Sequence, residues 1–234
     1  MKKPLIALGL AAALVSAQAV ELFSNGPVVD GTGLSILNSG VDSTLGAGSN
    51  ASATLADNFA VTGAGWNVQS LDFFGYQTGS TGFTFTGVTW SLLAGSDVTT
   101  AATVASGTTA VTNGGLVGYR VTTTTLTSTT RPLFRISADI PDVVLPAGSY
   151  FVTWALAGSG ASGPFVPPVL GSLGTGNGLQ NNAGAGFVPL SDGLSLSPYD
   201  VPFAIQGGVV PEPGTWALML AGGLAVAGVA RRRA

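Results

Sequence analysis

Short runs of alternating apolar and polar residues, closed by Gly, Asn, Asp and Pro, dominate the chain between residues 20 and 209. Phe134, Ile136, Ala138 and Ile140 alternate with Arg135, Ser137 and Asp139, and Tyr150, Val152, Trp154 and Leu156 share one phase in the same way. Successive residues of a strand point to opposite sides of a sheet, so a period of two writes half-buried strands and argues against amphipathic helices. The pattern predicts strands over residues 34–37, 53–61, 66–76, 83–93, 118–126, 133–140, 150–156 and 202–206. Short strands at this spacing, with turn signals between them, predict an all-β fold: a β-sandwich or jelly-roll-like body. No internal repeat stands out, which disfavours a solenoid or propeller.

Two strands change phase. Trp66 and Val68 give way to Leu71 and Phe73, and Phe83 and Phe85 give way to Val88, Trp90 and Leu92 across Gly87. A one-residue phase change is what a β-bulge produces, and Gly87 is a suitable place for one. Residues 157–186 break the pattern altogether. They hold nine glycines and four Gly-x-Gly steps, with Pro164, Pro167 and Pro168. Such a segment reads as a long mobile loop, because glycine-rich chain loses much entropy on ordering. Its Phe165–Leu170 core would otherwise serve to cover an open sheet face.

The chain has no Cys and no His among its 234 residues, and only 8% of them are charged. Disulfides, thiolate nucleophiles, His-dependent triads and the usual zinc sites are thereby excluded. Between the ends, Arg120, Arg131 and Arg135 face nine Asp residues. An acidic body without a basic patch is unsuited to nucleic acid.

The remaining basic residues lie at the ends. Lys2 and Lys3 precede an apolar run from residue 5 to residue 15, followed by Ser16-Ala17-Gln18-Ala19. This is the order of a signal peptide, with small residues Ala17 and Ala19 placed for signal peptidase to cut after residue 19. The other end reads Val210-Pro211-Glu212-Pro213-Gly214, then the 16 uncharged residues 215–230, then Arg231, Arg232 and Arg233. The apolar piece is near the lower length bound for a membrane-spanning helix, and the Arg cluster fits its cytoplasmic side. The division expected is therefore a signal peptide at 1–19, an exported β-sandwich at 20–209 with its loop at 157–186, and a tail at 210–234.

Pro-Glu-Pro, a short Trp-containing apolar helix and a terminal Arg cluster together resemble the PEP-CTERM sorting tail of Gram-negative bacteria, also labelled an ice-binding protein C-terminal domain. The resemblance implies recognition at Pro211, Glu212 and Pro213 and a membrane stop at Arg231, Arg232 and Arg233. It implies cleavage by an exosortase, a transpeptidase-like membrane protease. It also implies passage through an inner-membrane-anchored precursor to the cell surface or extracellular matrix, often with a link to exopolysaccharide and biofilm. Asp57-Asn58-Phe59-Ala60-Val61, Trp66-Asn67-Val68, Phe73-Phe74-Gly75-Tyr76, the stretch from Leu145 to Val152 and Phe203-Ala204-Ile205-Gln206-Gly207 are similar to the body of many such proteins. That likeness concerns the fold and supplies no catalytic residue.

The body itself offers weak chemical signals. Gly158-Ser159-Gly160-Ala161-Ser162-Gly163 matches a dinucleotide fingerprint, but Pro164 stands where a helix must start. Asp139 and Asp142, and Asp30 and Asp192 before Gly, read as turn formers, since calcium-ligand spacing is absent. Trp66, Phe73, Phe74, Tyr76, Trp90, Tyr119, Tyr150 and Trp154 read as core, with stacking on extracellular polysaccharide as the alternative. Residues 121–130 (VTTTTLTSTT) read as an edge or solvent-facing strand, with an ice-binding array or glycosylation as alternatives. Asn50-Ala51-Ser52 fits a glycosylation sequon. The expectation is a non-enzymatic surface or matrix protein without cofactor or metal. A carbohydrate-binding module comes next, and a carboxylate-dependent hydrolase last.

Overall fold

A computed structural model of the protein describes residues 19–211. They form fourteen strands and no helix: β1 (Val20–Ser24), β2 (Leu34–Leu37), β3 (Ala47–Gly48), β4 (Ala53–Val61), β5 (Trp66–Gly75), β6 (Phe85–Ala94), β7 (Ala102–Ala110), β8 (Thr112–Thr122), β9 (Pro132–Leu145), β10 (Gly148–Gly158), β11 (Phe165–Val166), β12 (Leu179–Asn182), β13 (Phe187–Pro189) and β14 (Phe203–Val209). The all-β expectation holds. No helix among the described residues is long and apolar enough to cross a membrane. The helices expected in the signal segment and over 215–230 lie outside the described residues.

One six-stranded sheet runs β1-β14-β5-β9-β8-β2 and the other β13-β12-β4-β10-β6-β7, with β11 and β3 as a separate pair. The two large sheets pack on one another. Phe73 of β5 meets Trp154 of β10 with ring centroids 5.2 Å apart, and Trp154 meets Phe203 of β14 at 5.9 Å. Ile136, Val152 and Leu92 are fully buried in the same cluster. Each such side chain contributes about 2–3 kcal/mol through removal from water. This supplies the cohesion that a chain without disulfides needs.

Both phase changes are bulges. Ala157 pairs with Gly87 whereas the next residue, Gly158, pairs with Phe85. On β5 the register jumps between Val68 and Ser70 against β9, which lets Trp66, Val68, Leu71 and Phe73 all reach the core.

The Gly-rich segment is more structured than its composition predicts. It carries β11 and β12, and Val166 and Val169 are buried. Phe165 packs into a second small cluster with Val28, Phe74, Tyr76 and Leu133, while Val166 joins the main core. The segment therefore covers a sheet face, the alternative the sequence left open. Its glycines permit close approach: a Cβ at Gly178 would lie 2.7 Å from the Tyr199 carbonyl oxygen.

The Thr-rich run is not a flat strand. β8 stops at Thr122, and Thr125 N–H donates to the Thr122 carbonyl at 3.0 Å, closing a turn. The Thr122 and Thr125 hydroxyls lie 2.7 Å apart. Threonine hydroxyls here satisfy local polar groups, a use that competes with strand pairing.

Candidate functional site: the sorting junction and the buried acids

β14 lies between β1 and β5. Phe203 and Ile205 fill the core from one face, and Gln206 on the other donates to Asp72 Oδ2 at 3.0 Å. Asp72 also accepts from the Ser137 hydroxyl and stands 3.9 Å from the Arg135 guanidinium. The register shifts between Gln206 and Gly207 as the strand nears its end. Val210 N–H makes one more bond, to the Gly65 carbonyl at 2.9 Å. Pro211 follows, exposed and without an N–H to donate. The sheet thus holds the chain up to the residue before Pro211.

The start of the body lies beside its end. β1 runs antiparallel to β14, with Val20 opposite Gly207. Val20 is the first strand residue, and Ala19 before it is exposed. The two expected processing points are thereby brought to the same end of the same sheet. Ala17, Glu212, Pro213, Arg231, Arg232 and Arg233 lie outside the described residues.

Elsewhere the chemistry is buried. Asp57 occupies the apolar phase of β4, between Leu55 and Phe59, and is 2% exposed. Its carboxylate accepts from Asn25 Nδ2 at 3.1 Å, from Val201 N–H at 3.0 Å and from Asn58 N–H at 2.8 Å. Burial pushes the carboxyl up to about 7 against the pull of the Val201 and Asn58 donors, and the Asp200 carboxylate adds to the rise. Asn25 also donates to the Val201 carbonyl and accepts from Phe203 N–H, so this cluster ties β4 to the entry of β14. An aspartate at an apolar position was the sequence signal for it.

Asp192 and Arg120 form the second cluster. Asp192 accepts backbone N–H groups from Ser43, Thr44, Leu194 and Ser195 at 2.7–2.9 Å. Burial alone would raise its carboxyl, but these donors outweigh it and hold the group well below the usual carboxylate range. Arg120, 3% exposed, donates to the Thr44 and Leu45 carbonyls at 2.7 and 2.8 Å and to Ser35 Oγ at 3.1 Å. Desolvation lowers its guanidinium to about 10, partly offset by Tyr76 and Tyr199. Nothing in the periodicity of β8 marked Arg120 as buried.

Asp30 and Asp192 do act as turn formers: Asp30 accepts from Thr32 and Leu34 N–H at 2.8 and 3.0 Å. Asp142 lies within β9 rather than at a strand end, and takes Asn67 Nδ2 at 3.0 Å. Among the described residues no three acidic groups gather where a metal would bind. The Gly158–Gly163 run is held by Gln77, which donates to the Gly160 carbonyl and accepts its N–H, both at 3.2 Å. Trp66, Phe73, Phe74, Tyr76, Trp90, Tyr150 and Trp154 are all buried and Tyr119 is half-buried, so these rings build the core and form no exposed row. A cleft of about 330 Å³ between Phe23, Phe59, Tyr150 and Phe151 is lined by no carboxylate. A smaller hollow of about 70 Å³ reaches Arg120 and Asp192, whose polar atoms are already engaged.

No curated protein matches the chain. The tail does match a family description, beginning at the last residue of β14. Residues 209–234 are a PEP-CTERM protein-sorting motif, the signal of an exported precursor that an exosortase-type membrane enzyme processes to the cell surface.

Proposed function

We propose that the protein is a non-enzymatic structural component of the cell surface or extracellular matrix, associated with exopolysaccharide in a biofilm. In this reading signal peptidase cuts after Ala19. Residues 215–230 then hold the precursor in the inner membrane with Arg231, Arg232 and Arg233 on the cytoplasmic side. As a helix, sixteen residues would span about 24 Å, short of a hydrocarbon core of about 30 Å by an amount that flanking residues such as arginine can bridge by snorkelling. The exosortase-like enzyme reads Pro211, Glu212 and Pro213 and releases the body.

The observation that carries this reading is the pairing of Val20 with Gly207, together with the end of β14 at the start of the sorting motif. The body occupies the interval between the two expected processing points and leaves both at one end of the same sheet. A structural role is supported by the state of the acids. Asp57, Asp72 and Asp192 spend their oxygens on hydrogen bonds within the fold.

Replacing Glu212 and Pro213 by Ala tests the sorting step. Full-length precursor is expected to accumulate in the membrane fraction. Release at the rate of the unmodified protein would defeat the reading.

A further inference from the structure

The four outer edges of the two large sheets are unequal. β1 carries Glu21 and an irregular register between Glu21 and Phe23. β2 has four residues, and β13 has three and ends in Pro189. Short length, charge, bulges and proline are the devices that keep sheet edges from pairing with other chains. β7 lacks most of them. It is nine residues long (ATVASGTTA), with no charge and no proline. Its register is irregular only beside Val104, which leaves Ala105–Ala110 evenly paired with β6.

β7 is also firmly held. The Thr89 and Thr108 hydroxyls lie 3.0 Å apart across the β6–β7 pair, and Trp90 Nε1 donates to Thr109 Oγ1 at 2.9 Å. Its other side pairs with no strand among the described residues. We infer that this free edge is a self-association surface, on which β7 of a second copy of the chain pairs antiparallel to extend the sheet.

A second copy fits for two reasons. The body is acidic, so two copies approach most cheaply through a segment that carries no charge. The side chains on the outer face, Ser106, Thr108 and Ala110, are exposed and small. A two-fold pairing therefore sets only small and hydroxyl groups opposite one another, repeating the contact that Thr89 and Thr108 already make. The inference stands on the strand edge and is independent of the sorting reading.

The chain's lack of cysteine makes the test clean. Single Cys residues are placed at Ser106, Thr108 or Ala110 of the full chain in non-ionic detergent, with Thr124→Cys on the exposed turn as control, and disulfide dimers are counted after mild oxidation. Dimers should concentrate at one of the three β7 positions. Adding Ser106→Lys and Ala110→Lys together to the Thr108→Cys variant should reduce them about fivefold, because antiparallel pairing centred on residue 108 sets each Lys at 106 opposite the Lys at 110 of the second copy. Equal cross-linking at Thr124→Cys, as association through the tail would give, overturns the inference. So does an unchanged yield in the Lys variant.

Discussion

Asp192 and Arg120 both hold the backbone of Thr44, one at its N–H and the other at its carbonyl. Asp192 Oδ2 accepts the Thr44 N–H at 2.7 Å, and Arg120 Nη2 donates to the Thr44 carbonyl at 2.7 Å. The anion meets the N–H end of the 43–44 peptide, and the cation meets the carbonyl end of the following 44–45 peptide. Two buried charges are thus stabilised through backbone, without a direct ion pair between them.

Asp192→Ala should therefore be costly. It leaves four backbone N–H groups without their acceptor, each worth about 1–3 kcal/mol when buried and unmet, with partial recovery from water. A loss of about 3 kcal/mol or more is expected in urea unfolding. Arg120→Met should cost a similar amount. The double variant should lose less than the sum, since both act on the 43–45 segment.

Asp57 predicts an unusual pH dependence. Its folded value near 7 lies above the ordinary 3.8, so the folded state holds this proton more tightly than the unfolded chain. The contribution is fully present below about pH 4 and is lost as pH rises through about 7. Asp192 acts oppositely: its depressed value contributes stability above about pH 4 that is lost on acidification. Asp57→Asn should flatten the fall in stability between pH 4 and pH 8, as followed by unfolding at several pH values. An unchanged slope would assign the dependence to other groups.

Gly207 should not tolerate a side chain. A Cβ there would run into the Asn67 carbonyl oxygen of the neighbouring strand. Gly207→Ala should cost about 2 kcal/mol by forcing β14 away from β5, while Gly208→Ala, with open space around it, should cost well under 1 kcal/mol. Thermal unfolding of the two variants checks the contrast.

The junction predicts a rate. Val210 is still bonded to Gly65, and Pro211 is the next residue, so the enzyme meets the motif with no slack between it and the sheet. Six Gly and Ser residues inserted between Val210 and Pro211 should speed processing in a pulse-chase experiment. Slower processing would show that the body itself is part of the recognised substrate.

Much of this fold was legible because its strands obey a period of two. The predicted bounds of β2 and β4 coincide with the structure, and the bulges at Gly87 and within β5 were visible as phase changes. β7 was not legible. Ala, Ser, Gly and Thr fill it, and an edge strand that buries little need not alternate. The Thr-rich run misled for a related reason: threonine suits strands, but here its hydroxyls close a turn. β11 and β12 were hidden by glycines, of which Gly158 and Gly160 pack against Gln77 and Gly176 and Gly178 against Tyr199. Of the buried polar groups, Asp57 carried a signal that the reading of the strands did not use, an acid in phase with Leu55 and Phe59. Arg120 is explained by the Thr44 and Leu45 carbonyls and by Ser35, all far from it in sequence.

Mass spectrometry of the protein recovered from outside the cell tests the central claim most directly. The account predicts a species that begins at Val20 and lacks Arg231, Arg232 and Arg233, with its C-terminus near Pro211–Pro213. An extracellular species that keeps the arginine cluster would contradict it.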